Sequence, residues 1–569
     1  MDLLEKLVSE KDVEFPGEEF IPALQHEVEE AVKYDDTKLL ARFLELMADN
    51  ADGMSEFSPE FIPQIFRIDD MGKLPESVKK VKDGLMKNCK ARDLHLGILR
   101  AFTDRDISEK TRLSILPYLE RAVYRLGKKK SKFMVQSVPL FTKICHTEEA
   151  MAQSLDMAAQ RIDAITNFCK RFIQEARAEG EKTPDVVMRL ETLATALFTT
   201  VYKNLTLIRF DSLDVQLSDA KVEAEVTVSQ STEDILLALQ RCVEVAALSV
   251  DVCAILDRLD CTNPTDDGGG DVELSPISIA AFAYVSLIHG AAPGRAQPIP
   301  PFVAAWRLAD WSIKAASLVG AFAEEYPHFA QCSTILFSRA ARYLEVAAEQ
   351  NPSDFTTTVA AMRRWSPDFV FPHLLDFMCS DPRLAHAQRV HLFARMVSMI
   401  RCYDWPARAD LYLSIASKST TDQGIGRLIS CFKEDWWSRV CECEKADRDE
   451  KDKHRVHKVL KSVLGGDLRL RDSMDVITAA LNICKLGLRN EDVRAWFLDS
   501  GLDLPAKAKN IASQVDAELT LVNKDLKEYD DANPGSDGNQ YLLSTQLRIQ
   551  LVADGVKRVR ELIADPKAE

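Results

Sequence analysis

The sequence predicts an all-α chain of stacked amphipathic helices, and three observations carry that prediction. Apolar residues recur at three- and four-residue steps, as in Leu116, Leu119, Val123 and Leu126, and again in Ile549, Val552, Val556, Val559 and Ile563. Such a stripe turns one face of a helix to a core and the other to water. Oxygen-bearing residues followed by proline recur along the chain as helix-start signals. Gly and Pro are sparse, 22 and 23 in 569 residues, which argues against a turn-rich all-β chain and against extended disorder.

The helix starts read in order. Ser58-Pro59-Glu60, Thr183-Pro184-Asp185, Ser275-Pro276, Ser366-Pro367-Asp368 and Asp381-Pro382 each set a cap before a proline at the first helical position. Proline lacks an N–H that would be unpaired there anyway, and the cap oxygen accepts a bond from a later free N–H. In three of them an acidic residue then complements the positive end of the helix dipole. Ser231-Thr232-Glu233-Asp234 opens a helix through Ala246-Ala247-Leu248 by the same logic without proline. Only Val222, Ala224, Val226 and Val228 alternate as a strand does, and a loop or a lone hairpin there leaves the fold class unchanged.

A chain of 569 residues exceeds one hydrophobic core. The clearest break is Cys261 to Leu274, where Asp266-Asp267-Gly268-Gly269-Gly270-Asp271 reads as a flexible exposed linker. It divides the chain into an N-terminal helical-repeat domain (1–260), an acidic glycine-rich linker (261–276) and a C-terminal repeat domain (277–569), the half expected to bind a partner. A second soft region, Asp530 to Asn539, separates a last helix, Tyr541 to Ile563. Helix pairs recur about every 35 to 50 residues, the spacing of HEAT and armadillo repeats. The letter patterns of tetratricopeptide and ankyrin repeats are absent. The expected architecture is a HEAT/armadillo-like helical-repeat solenoid in two halves, held by nearest-neighbour stacking.

A formal charge of -16 speaks against nucleic acid as a partner, since phosphate binding needs a basic surface. The N-terminus shows no basic region followed by an apolar one, so no secretory signal is expected. The longest apolar run, Ile277 to Ile288, is too short for a bilayer span of roughly 20 residues and reads as a buried helix. Thirteen scattered cysteines without a signal point to reduced thiols and a cytoplasmic protein, with the nucleus left open.

Residues that invite chemistry have bland competitors. Cys441, Cys443, His454 and His457 form the best zinc candidate, but Cys-x-Cys and His-x-x-His flank a highly charged stretch that reads as solvated helix or turn. The triple glycine imitates a phosphate loop, yet its neighbours are carboxylates and it lacks the preceding strand and the lysine. Gly424-Ile425-Gly426 reads as a flexible helix start. Lys128-Lys129-Lys130 follows Gly127, where cations suit a helix C-terminus. No catalytic residue, cofactor or metal is therefore expected. Trp436-Trp437 stands out, because adjacent helical positions point about 100° apart and both rings fit one core only with difficulty. An exposed Trp beside Arg439 has the composition of an interface hot spot; a tryptophan wedged between repeats is the competing reading.

The order of segments resembles the glomulin family. Leu94 to Ala122, with Leu-His-Leu-Gly-Ile-Leu-Arg-Ala-Phe and then Ser-Ile-Leu-Pro-Tyr-Leu-Glu-Arg-Ala, is similar to that family's pair of leucine-rich helices. Ile279 to Val303, with Ala-Ala-Phe-Ala-Tyr-Val-Ser-Leu-Ile-His-Gly and Ile299-Pro300-Pro301, resembles the start of its second half. Gly424 to Trp436 and the helix ending Val559-Arg560-Glu561-Leu562-Ile563 fall in corresponding places. The acidic glycine loop and Cys441 to Lys453 are peculiar to this chain. The resemblance implies a non-enzymatic, monomeric HEAT-like protein whose C-terminal half grips the cullin-bound RING subunit of cullin-RING ubiquitin ligases. That grip would block docking of the ubiquitin-conjugating enzyme. An immunophilin is also linked to that family. The contact region expected here is 424–487, with Trp436, Trp437 and Arg439 as anchors and Lys458 and Lys461 at the rim. A helical scaffold for another protein partner is the alternative.

Overall fold

The computed structural model describes residues 21–34, 37–49, 59–147, 151, 155–179, 183–208, 210–218, 221–259, 274–289 and 298–300. It continues through 303–350, 367–380, 384–442, 450–464, 470–499, 501–533 and 539–565. Among the described residues the protein is all-α apart from one hairpin. The first helices are α1 (Ile21–Tyr34), α2 (Lys38–Asp49), α3 (Phe61–Asp70), α4 (Pro75–Asn88), α5 (Ala91–Thr103) and α6 (Glu109–Arg125). They are followed by α7 (Lys130–Cys145), α8 (Leu155–Ala178) and α9 (Pro184–Leu205). The hairpin pairs β1 (Phe210–Ser218) with β2 (Lys221–Val228), and α10 (Gln230–Ala247), α11 (Val252–Leu256) and α12 (Pro276–Tyr284) come next.

After α13 (Ala305–Ala321) and α14 (Phe329–Gln350) the chain forms α15 (Pro367–Ser380), α16 (His386–Arg401), α17 (Trp405–Lys418) and α18 (Asp422–Glu442). It closes with α19 (Glu450–Leu464), α20 (Met474–Arg489), α21 (Arg494–Leu498), α22 (Leu504–Ala532) and α23 (Gln540–Ala564).

Two compact units arise, one holding α1–α12 and the other α15–α23, with the division passing through α13 and α14. Within the first unit most helices pack on the next and on the next but one: α4 on α6, α5 on α6 and α7, α8 on α9 and α10. Within the second, α17 packs on α18 and α19, and α20 on α18, α19 and α23. This overlap of neighbours is the packing of a helical-repeat stack, in which each repeat buries its apolar face only against its neighbours. Leu116, Leu119 and Val123, and Ile549, Val552, Val556 and Val559, are all buried as their spacing predicts.

Several boundaries differ from the sequence reading. The cut expected at 261–276 does not coincide with the division into units. Helix α12, which follows it, packs on α9, and Phe198 stacks on Phe282 at 4.3 Å within the first unit. Composition marked an exposed stretch, whereas contacts decide where a unit ends. Thr183 and Ser275 cap α9 and α12 as expected, accepting from Val186 N and Ser278 N at 3.4 and 3.3 Å. The cap of α10 is Ser229, two residues before the expected one, accepting from Thr232 N. Helix α3 starts at Phe61 and not at Pro59. Helix α16 starts at His386, where Gln388 Oε1 accepts from Ala385 N at 2.9 Å. Ser58, Ser366, Asp381-Pro382 and the glycine-rich segment 261–273 lie outside the described residues.

The run from Ile277 forms α12, continued by one π-helical turn, Val285–His289, and is buried through Leu287. No helix among the described residues is long and apolar enough to cross a membrane.

Candidate protein-binding surface

The region expected to make contacts lies on α18, α19 and α20. Gly424 and Gly426 fall inside α18, where close packing requires them. A Cβ on Gly426 would meet the Asp475 carbonyl carbon at 2.8 Å, and one on Gly424 would meet Cys379 Sγ at 2.8 Å. The pair is a packing device, not a flexible start.

Trp436 is a core residue, 1% exposed. Its ring lies edge-on to Trp437 and tilted to Phe497, at 5.9 Å in each case. Trp437 is half-buried, so the 100° offset sends one ring inward and leaves the other at the surface. The anchor expected at Trp436 is therefore corrected to a packing role: a side chain already buried in its own unit has no surface to give a partner. Arg439 is engaged as well. Its Nε donates to Asp452 Oδ2 at 3.0 Å, and the buried Asp452 also accepts from Trp405 Nε1 at 2.7 Å and from Arg455 Nη1 at 3.2 Å. A buried carboxylate with three donors fixes α17, α18 and α19 against one another. Lys458 and Lys461 are exposed on α19.

A second hub lies one residue before Trp436, at Asp435. Asp435 accepts from Arg401 Nε at 3.0 Å, Arg408 Nη1 at 3.4 Å and Tyr412 Oη at 2.9 Å. Burial, and then the Asp435 charge, push the Tyr412 phenol well above its ordinary value, so it remains a donor.

The four zinc candidates do not converge among the described residues. His457 Nε2 donates to the Trp496 carbonyl at 2.5 Å, His454 and Cys441 are exposed, and Cys443 lies outside the described residues. No group of three or more metal-ligating side chains is found among the described residues. Burial pushes the thiols of Cys145, Cys242, Cys332 and Cys484 up to about 12, which keeps them protonated and unreactive.

Sequence reasoning missed the most prominent apolar feature of the second unit. Leu543, Leu547 and Leu551 on α23 are 45%, 59% and 55% exposed. Their four-residue spacing aligns them along one face, while Ile549, Val552, Val556 and Val559 on another face are buried. Between Gln540 and Leu551 the only charged residue is Arg548, and it pairs with Asp475 at 2.9 Å. Helix α23 is firmly held. It packs on α20 and α22, Gln546 donates to Asn523 at 2.8 Å, and Arg494 Nη2 donates to the Leu562 carbonyl at 2.9 Å near its C-terminus. The result is a rigid helix presenting three leucines in a row. A second i, i+4, i+8 stripe in one helix was the available signal; the buried stripe, already read, masked it.

No protein-family model matches the chain, and no curated protein matches it significantly.

Proposed function

We propose that the chain is a non-enzymatic helical-repeat protein that caps the RING subunit of cullin-RING ubiquitin ligases and blocks docking of the ubiquitin-conjugating enzyme. The observation that carries the protein-binding part is the row Leu543, Leu547, Leu551 on a helix fixed by its neighbours. Rows at this spacing enter apolar grooves as helix-borne anchors. The partner's identity rests on the ordered resemblance of 94–122, 279–303, 424–436 and 559–563. In this reading the leucine row replaces Trp436 as the anchor, with Trp437, Lys458 and Lys461 as further surface contacts. An interface of standard size needs about 1,200–2,000 Å² in total, so the row is its centre and polar neighbours form the rim.

Calorimetric titration of the full chain with a cullin–RING-subunit module tests the proposal, followed by a ubiquitin-chain assay that should show inhibition. Leu547→Glu should weaken binding by about tenfold or more, as loss of a central anchor does, and leave the unfolding midpoint in place. Absence of binding by the folded chain removes the RING reading. Binding that survives glutamates at all three leucines removes the leucine row. A helical scaffold for a different partner is the second reading, favoured by the same row, which specifies an apolar partner surface and not a RING subunit.

A further inference from the structure

The first unit carries a groove that differs in character from the leucine row. It lies between α7 and α9, encloses about 700 Å³, and has Val135, Pro139, Leu140 and Met188 among its apolar walls. The two helices run in the same direction here. Asn204 Nδ2 approaches His146 Nε2 at 3.2 Å where both end, while His146 Nδ1 donates to the Thr142 carbonyl at 2.7 Å. His146 is thus a neutral imidazole with both nitrogens used, and burial pushes it down to about 3.

Three of the four threonines that line the groove spend their hydroxyls within their own helices. Thr142 donates to the Val138 carbonyl at 2.7 Å, Thr192 to Met188 at 2.8 Å and Thr195 to Glu191 at 2.9 Å. Among the described residues no acidic one lines the groove, and its two cations, Lys143 and Lys203, both stand in the last turns of their helices. Neither forms an ion pair among the described residues. Elsewhere in the unit several cations are paired, among them Arg67 with Asp104, Lys82 with Asp69, Arg171 with Glu120 and Arg241 with Asp163. Helix dipoles explain a lysine near each C-terminus. They do not explain an apolar trench that ends on both lysines and is lined by no carboxylate among the described residues, in a chain of net charge -16.

We propose that this groove docks an amphipathic helix of a partner protein, its apolar face along Leu140 and Met188 and a carboxylate at one end meeting Lys143 and Lys203. Charge complementarity selects the acidic end. Length selects the rest: at 1.5 Å per residue the walls run roughly 16 Å from Val135 to His146 and roughly 22 Å from Met188 to Lys203, about three to four turns of a docked helix. Leu140 and Met188 are 38% and 42% exposed, so the trench is open along one side. A helix turns its own polar face to that side, whereas an acyl chain would leave methylenes in water. This inference concerns the first unit and does not depend on the RING reading.

A phage-displayed library of random 16-residue peptides, selected on the immobilised full chain, tests it. Recovered peptides should carry apolar residues at helical spacing and Asp or Glu toward one end. A fluorescein-labelled synthetic copy should bind K143E/K203E about tenfold more weakly or worse, because two attractions become repulsions, and should weaken with salt. Thermal melts of the variant should fall only slightly below the wild type, by the lost helix-dipole attraction at each C-terminus and the Lys203 contact with the Tyr202 ring, since neither lysine holds an ion pair among the described residues. No enrichment, recovered peptides without carboxylates, or equal binding to wild type and variant would each overturn the proposal. Direct binding of palmitate that displaces the peptide and is lost in the variant would overturn the choice of occupant and reassign the groove to a lipid carboxylate.

Discussion

Replacing Trp436 by alanine separates a core role from a binding role, and the structure sets the size of the effect. The ring is 1% exposed and packed between Trp437 and Phe497. A buried Trp removes about 150–250 Å² from water, which at about 25 cal/mol/Å² gives an upper figure of about 4–6 kcal/mol. Alanine retains part of that burial. The indole N–H also finds no acceptor among the described residues, so its removal relieves about 1 kcal/mol of desolvation cost. Collapse around the vacancy is limited because the buried Phe497 is already pressed against Gly487. The expected loss is therefore about 3 kcal/mol, the lower end for aromatic-to-alanine changes in cores. Trp437→Ala, at a half-buried ring, should cost about 1 kcal/mol. Trp436→Phe should fall between them, since it keeps an apolar ring and sheds the unpaired N–H. Urea unfolding followed by circular dichroism and by tryptophan fluorescence reads all three. A stack of this length unfolds in more than one step, so the quantity compared is the midpoint of the step that moves. A Trp436→Ala protein with an unmoved midpoint and lost partner binding would refute the core assignment and restore Trp436 as an interface anchor.

Three further outcomes follow from the packing. Asp452→Ala should destabilise the second unit by about 2 kcal/mol, because Trp405 loses its acceptor and the partly exposed Arg439 and Arg455 lose a counter-charge that water only partly replaces; an unchanged urea midpoint would show the hub to be dispensable. Gly487→Ala should cost about 1–3 kcal/mol, since its methyl would run into the Phe497 ring, and Phe497→Leu in the same chain should recover part of that loss. Burial lowers His95 and His391 from 6.5 to about 4, with Arg395 adding to the effect at His391. The unfolded chain takes up those protons near 6.5 and the folded one only near 4, so stability should fall as pH drops through that window and be flat above it. A variant carrying asparagine at both positions should have a shallower acid arm in its urea midpoints, and an identical arm would rule the histidines out.

How much was legible in the sequence depends on how local each signal is. The caps at Thr183 and Ser275 were readable because a hydroxyl, a proline and the next free N–H all lie within four residues. The start of α16 was not, because its N-terminal N–H is satisfied by Gln388 from inside the helix and no oxygen precedes it. The alternation of Val222, Ala224, Val226 and Val228 allows a strand or a loop, and the structure makes it strand β2. The partner strand carries the same period in Leu213, Val215 and Leu217 around Asp214 and Gln216. The unit boundary was out of reach of composition, since the stacking of Phe198 on Phe282 joins residues far apart in sequence.

The tryptophan pair and the leucine row mark the limit of periodicity as a guide to function. Two adjacent tryptophans guarantee that their rings diverge, but which ring enters the core is decided by Phe497, which faces Trp436 from another helix. A helix with two apolar stripes guarantees that one is buried only if it packs at all; which one is decided by its neighbours. In α23 the choice is visible in Gly555, where a Cβ would lie 3.1 Å from Leu481 Cδ1, and in Arg548, whose pairing with Asp475 brings the same side of the helix toward α20. That leaves Leu543, Leu547 and Leu551 outside, where their removal costs the fold little. Trp436 cannot be probed for binding without disturbing the unit that carries it. The leucines can, and this separability makes them the residues on which the binding proposal stands or falls.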